Sequence, residues 1–176
     1  MSHKVIFILT HGEKTYGPDP GMTPFGHQQV QSLREYLPPM ISRVIVGEGR
    51  RHFEMIQDLG LDPNLCVFSP MVGRATSNIP ENPKLVYLPH GEIISIEQWL
   101  PLSIGEVRRF IKPLADGTVV LGGRPLIKTV LKFSCDHNQP AALTASYYKI
   151  TIKSCEIISI DCHSASGAEK TNREEV

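Results

Sequence analysis

Residues 4–9, KVIFIL, form a nearly unbroken apolar run that stops at Thr10-His11-Gly12, and a helix start follows at Thr23-Pro24. A run so apolar, and rich in β-branched residues, predicts a strand covered on both faces, as in a parallel sheet. Such a strand needs a helical crossover to reach its neighbour. Thr23 offers an N-cap and Pro24 suits the first helical position, while Val30, Leu33, Tyr36 and Leu37 follow helical spacing until Pro38-Pro39. The cycle then repeats. Residues 43–46 predict a second strand, which leads through Gly47-Glu48-Gly49 into a helix over 50–59 with Phe53, Ile56 and Leu59 on its apolar face.

Further along, residues 65–68 predict a third short strand, and 69–89 is rich in proline and glycine, with a possible strand at 84–88. Ser103-Ile104-Gly105-Glu106 matches a capping box ahead of Val107, Phe110, Ile111 and Leu114. Residues 118–121 predict a strand, 125–133 a helix, and 147–160 a hairpin turning at Lys153-Ser154. Strand-then-helix units of this kind predict a three-layer α/β/α sandwich with a mostly parallel sheet. The length of 176 residues suits one domain, expected over 1–163, with a disordered polar tail over 164–176.

Composition narrows the partners. Eighteen Lys plus Arg balance eighteen Asp plus Glu, so no overall field favours nucleic acid or an anionic membrane. No apolar run approaches the roughly 20 residues that span a bilayer, and the N-terminal residues lack a signal-like pattern, so a cytoplasmic location is expected. Cys66, Cys135, Cys155 and Cys162 are scattered, and Cys135-Asp136-His137 and Cys162-His163 lack completing pairs, so neither a metal nor a disulfide framework is expected. Gly47-Glu48-Gly49 lacks the third glycine and acidic residue of a dinucleotide fingerprint. No cofactor is expected.

In a parallel α/β sheet the ligand crevice lies beyond the carboxyl ends of the strands. Three junctions fall there: Thr10-His11-Gly12, residues 47–51, and Gly122-Gly123-Arg124. His11 is flanked by a glycine that permits close backbone approach, Arg50 and Arg51 open one helix, and Arg124 opens another. Arginines at helix N-termini make an anion site, because free N–H groups and the positive dipole end add to guanidinium hydrogen bonds. A histidine held among them can attack a phosphoryl group.

These residues carry a resemblance. FILTHGE followed by MTPFGHQQVQSLREYL, then VIVGEGRRHFEMI and TVVLGGRPLIKTVL, resemble in register the histidine phosphatase superfamily, with its phosphoglycerate-mutase-like fold. The resemblance covers about residues 4–160. It implies that His11 is the nucleophile that becomes phosphorylated and that Arg51 is a phosphate-binding arginine, with a phosphorylated small molecule or a phosphoprotein as partner. Thr10, however, stands where the family has an arginine, and Gly123 where it has a second histidine. Thr10, Gly12, Arg50, Arg51, Gly123 and Arg124 are therefore the expected phosphate contacts, with Arg124, Arg50 or Arg74 as replacements for lost groups.

Glu92 is the expected general acid, with Glu81 and Glu97 as rivals and His90 nearby in the chain. Loss of one charge-assisted contact removes about 1.5–3 kcal/mol of ground-state binding, and loss of one preorganised donor costs about 10²–10³ in turnover. The expectation is a divergent member with lost or strongly reduced activity and a residual anion pocket around His11 and Arg51. The alternative is an active phosphatase or mutase working through a phosphohistidine at His11, with Arg124 compensating.

Overall fold

The computed structural model describes residues 3–17, 19–72, 85–87, 93–95, 104–132, 134 and 140–167. Six strands form one sheet: β1 (His3–Thr10), β2 (Arg43–Gly47), β3 (Cys66–Ser69), β6 (Thr118–Gly122), β7 (Ser146–Lys153) and β8 (Glu156–Ser164). Their spatial order is β3-β2-β6-β1-β7-β8. The pairs β2–β3, β2–β6 and β1–β6 are parallel, whereas β1–β7 and β7–β8 are antiparallel. The sheet is thus mixed, with three of its five pairings parallel. Two short strands, β4 (Leu85–Tyr87) and β5 (Ile93–Ser95), pair antiparallel on their own.

The helices among the described residues are α1 (Pro24–Gln31), α2 (Arg50–Asp58), α3 (Ile104–Ile111) and α4 (Arg124–Leu131). Alternation along β1 sends Phe7 and Leu9 into one apolar cluster with Val30 and Leu33, which belong to α1 and the turn after it, and with Met55 and Leu59 from the α2 region. Ile6 and Ile8 enter a second cluster with Val107 and Ile111 of α3 and Leu126, Ile127 and Val130 of α4. This two-sided cover explains why residues 4–9 are apolar almost throughout.

Several expectations shift in detail. Thr23 does cap α1, its hydroxyl accepting from the Gly26 amide at 3.0 Å. The helix stops at Gln31, and the chain winds on as a 3-10 turn over Arg34–Tyr36, because the Leu33 amide bonds back three residues to Val30. On α2 the inward residues are Arg51, His52, Met55 and Asp58. Phe53 instead points outward and packs edge-on against Phe68. The β7–β8 turn falls at Ser154-Cys155, one residue later than expected, with left-handed φ of 51° and 68° that match the right-handed twist of a tight hairpin. Ser164 belongs to β8, and Ala165 is buried with its amide bonded to Ala145, so ordered chain extends past the expected start of the tail. Residues 168–176 lie outside the described residues.

Candidate functional site

Register places three strand ends side by side: Thr10 of β1 pairs with Gly122 of β6, while Val46, one residue before the end of β2, pairs with Leu121. The residues that follow these ends therefore share one edge of the sheet. They are His11, the α2 start at Arg50 and the α4 start at Arg124. Gly49 precedes α2 with φ of 116°, a conformation that favours glycine and lets the chain reverse directly into the helix.

His11 is only 5% exposed, and its Nδ1 lies 2.8 Å from the Gly12 carbonyl. A carbonyl can only accept, so Nδ1 carries the proton and the neutral ring keeps its lone pair on Nε2. Burial, followed by the nearby Arg51 charge and His52, pushes the His11 pKa well below its usual value. The result is a neutral imidazole with a nucleophilic nitrogen at neutral pH.

Arg51 is 2% exposed, and its Nε and Nη1 have no hydrogen-bond partner among the described residues. Burial lowers its pKa to about 10, with Asp19 opposing the shift. A guanidinium held this way has unmet capacity for an anion, since buried charges are ordinarily paired. Asp19 is occupied elsewhere as well, accepting from the Arg50 amide at the start of α2 at 2.8 Å.

Two residues that the sequence reading did not single out complete the cluster. His52 is fully buried, its ring centroid 5.7 Å from that of His11. Lys14 is half-buried, and burial together with the charges of Arg51 and Arg124 lowers its pKa to about 8. Arg51 and Lys14 both act on His11, and Arg51 and Arg124 both act on Lys14, so the three cations form one linked patch at this edge of the sheet. The signal for His52 was available in the spacing of His52, Met55 and Leu59, which is that of an inward helix face. Lys14 carries no comparable pattern.

The remaining expected contacts divide. Thr10 is buried, and its hydroxyl donates to the Leu143 carbonyl at 2.8 Å and accepts from the Ser146 amide at 3.0 Å. It fastens the entry to β7 and is not aimed at an anion, contrary to expectation. Arg50 is also displaced, since its exposed side chain pairs with Glu54 at 2.8 Å. Gly12 packs directly on α1, and its amide lies 3.4 Å from Met22 Sδ. Gly123 sits at the α4 N-cap with extended backbone, and a Cβ built there would meet only Pro125 Cδ, at 3.3 Å. Burial lowers the Arg124 pKa. Glu92, Glu81, Glu97, His90 and Arg74 lie outside the described residues. No metal-binding cluster of His, Cys, Asp and Glu occurs among the described residues, and no helix there is long and apolar enough to cross a membrane.

The class so defined is a mixed α/β protein with a buried, neutral histidine and a cationic patch at the carboxyl edge of its sheet. No family model matches the chain, and no curated protein does. Solved structures do. The protein histidine phosphatase SixA, solved with tungstate, superposes with a TM-score of 0.65 at 17% identity, covering 91% of this chain and 96% of that one. A candidate phosphohistidine phosphatase SixA from Nakamurella multipartitia gives 0.59 at 12% identity over 93% and 98%. TTHB049 from Thermus thermophilus gives 0.58 at 15% over 89% and 98%. The fold is therefore the one that these solved structures share.

Proposed function

We propose that the chain is a histidine-phosphatase-like protein whose crevice binds a phosphoryl group or similar oxyanion, with His11 able to transfer that group at a strongly reduced rate. The observation that carries the reading is the buried Arg51 guanidinium, with two nitrogens unpartnered among the described residues, in the patch that surrounds a neutral His11. In the reaction the His11 Nε2 lone pair attacks phosphorus, the bond from phosphorus to the leaving oxygen of a phosphoester, or to the leaving nitrogen of a phosphoramidate, breaks, and that atom takes a proton from a general acid. Glu92 is the candidate acid. Water then attacks the phosphohistidine, the P–N bond breaks, and phosphate leaves with Nε2 again unprotonated.

Reduced rate follows from what the crevice lacks. The Thr10 hydroxyl is committed to the backbone of 143–146, and Gly123 offers no side chain. Lys14 and Arg124 favour the second reading, retained turnover, because they supply positive charge to the same patch. The SixA likeness supports a phosphoprotein as substrate class, and tungstate in that structure supports tetrahedral oxyanion recognition. The same reading includes a single domain, a three-layer arrangement and a cytoplasmic location.

Rapid acid-free quenching after exposure to phosphoramidate, followed by mass spectrometry, tests it. A phosphate on His11 that forms slowly and is absent from His11→Asn is the expected outcome. Anion binding without any phosphohistidine would reduce the protein to a binding module, and absence of both would overturn the proposal.

A further inference from the structure

His52 is the buried polar group that the mechanism above leaves without a task. It sits in the first turn of α2, next to Arg51, with Nδ1 2.9 Å from the Glu48 carbonyl. That carbonyl fixes the proton on Nδ1, as Gly12 does for His11. The other nitrogen, Nε2, is buried and has no partner among the described residues. On a ring 5.7 Å from that of His11 and next to Arg51, this nitrogen is a buried, unpartnered lone pair, an arrangement that suits neither a structural tie nor an anion as it stands.

We infer that His52 is the second imidazole of the oxyanion site, reaching it from α2 rather than from the β6–α4 junction, and that a bound dianion is held by a protonated His52. Anion binding then draws one proton from solvent onto Nε2, which converts the lone pair into an N–H donor. This inference rests on the crevice binding an oxyanion. Gly123 has no side chain, so the β6–α4 junction supplies no imidazole at that position.

The charges around His52 set the direction. Arg51 and Glu48 flank it on its own segment and the His11 ring lies 5.7 Å away, while Lys14 acts on His11, Arg124 on Lys14, and Asp19, from the loop that caps α2, on Arg51. In the empty crevice, burial and the Arg51 charge hold the His52 pKa down at about 3, against the help of the Glu48 and Gly47 carbonyls. A dianion among the same groups reverses the balance, because an opposite charge at close range favours the protonated ring.

Sulfate is the suitable probe, being dianionic at any pH where the protein is folded. Calorimetric titration of the full chain in two buffers of different ionisation enthalpy, between about pH 5 and 6.5, counts the protons taken up. We expect uptake close to one proton per sulfate and affinity falling about tenfold per pH unit. His52→Gln, which can still donate a hydrogen bond but cannot titrate, should bind sulfate with no uptake and a flat pH profile. In the wild-type chain, ¹⁵N NMR should move the His52 Nε2 resonance from the unprotonated to the protonated range on adding sulfate, a readout that needs no variant to fold. Sulfate binding without proton uptake, or uptake that persists in His52→Gln, would overturn the inference and leave the site reading intact. No sulfate binding by the wild-type chain would overturn both.

Discussion

His11 and His52 are neutral for the same reason: burial beside Arg51 makes a further positive charge costly, and a backbone carbonyl fixes each proton on Nδ1. Lys14 feels the same field but is only half-buried, so it stays charged at neutral pH and titrates near pH 8. An anion bound in the crevice raises that pKa, so binding needs no proton uptake by Lys14 below about pH 8, where the amine is already charged, and must take up a proton above it. Sulfate affinity should therefore fall as pH rises from about 8 towards 10. Lys14→Met should bind more weakly at pH 7 and lose this alkaline limb. An alkaline limb unchanged in Lys14→Met, measured by the same titration, would remove Lys14 from the site.

Between elements, the closest approach that shapes the crevice is between the turn after β1 and α1. A Cβ on Gly12 would lie 2.2 Å from the Gly26 carbonyl oxygen, and one on Gly26 would lie 2.0 Å from that of Glu13. Both obstacles are backbone, so neither can be relieved by turning a side chain. Gly12→Ala should cost about 3 kcal/mol in urea unfolding, at the upper end of overpacking penalties. Gly123→Ala, with ordinary φ and a single 3.3 Å contact, should cost less than about 1 kcal/mol. Equal losses in the two variants would show that the Gly12–Gly26 contact is not what sets this junction. Elements of this kind were readable in the sequence where apolar periodicity and caps agreed, as for β1, β2, β6 and the Thr23-Pro24 start of α1. The inward face of α2 was carried only by the spacing of His52, Met55 and Leu59, and was masked because its first turn buries Arg51 and His52, residues whose polarity signals a solvent face. The direction of β7 was also hidden, since strand composition does not encode orientation within a mixed sheet. Thr10 misled for a related reason: its hydroxyl was visible, but its partners at Leu143 and Ser146 are more than 130 residues away in the chain.

At the scale of the whole molecule, two apolar clusters, one on each set of alternate strand residues, hold the sheet, and the cationic patch lies at its carboxyl edge. Arg51 is where stability and site conflict. Burial lowers its pKa from the ordinary arginine value to about 10, which corresponds to roughly 3 kcal/mol of unfavourable interaction in the empty protein. The group is protonated in both folded and unfolded chains at neutral pH, so the full cost is present there and is relieved only as pH rises through about 10. Against a total stability of about 5–15 kcal/mol for a domain this is a large fraction. Replacing the guanidinium with an adaptable apolar chain, Arg51→Met, should therefore make the ligand-free protein more stable by about 1–3 kcal/mol, even though it removes a long side chain from a packed position. The order should reverse when anion is added. Sulfate at a hundred times its dissociation constant should stabilise the wild-type chain by about 2.7 kcal/mol and leave Arg51→Met unmoved. Thermal unfolding of both proteins with and without sulfate reads the two effects separately. A variant less stable than wild type without anion would mean that Arg51 is already paired, and a variant still stabilised by sulfate would mean that the anion binds elsewhere.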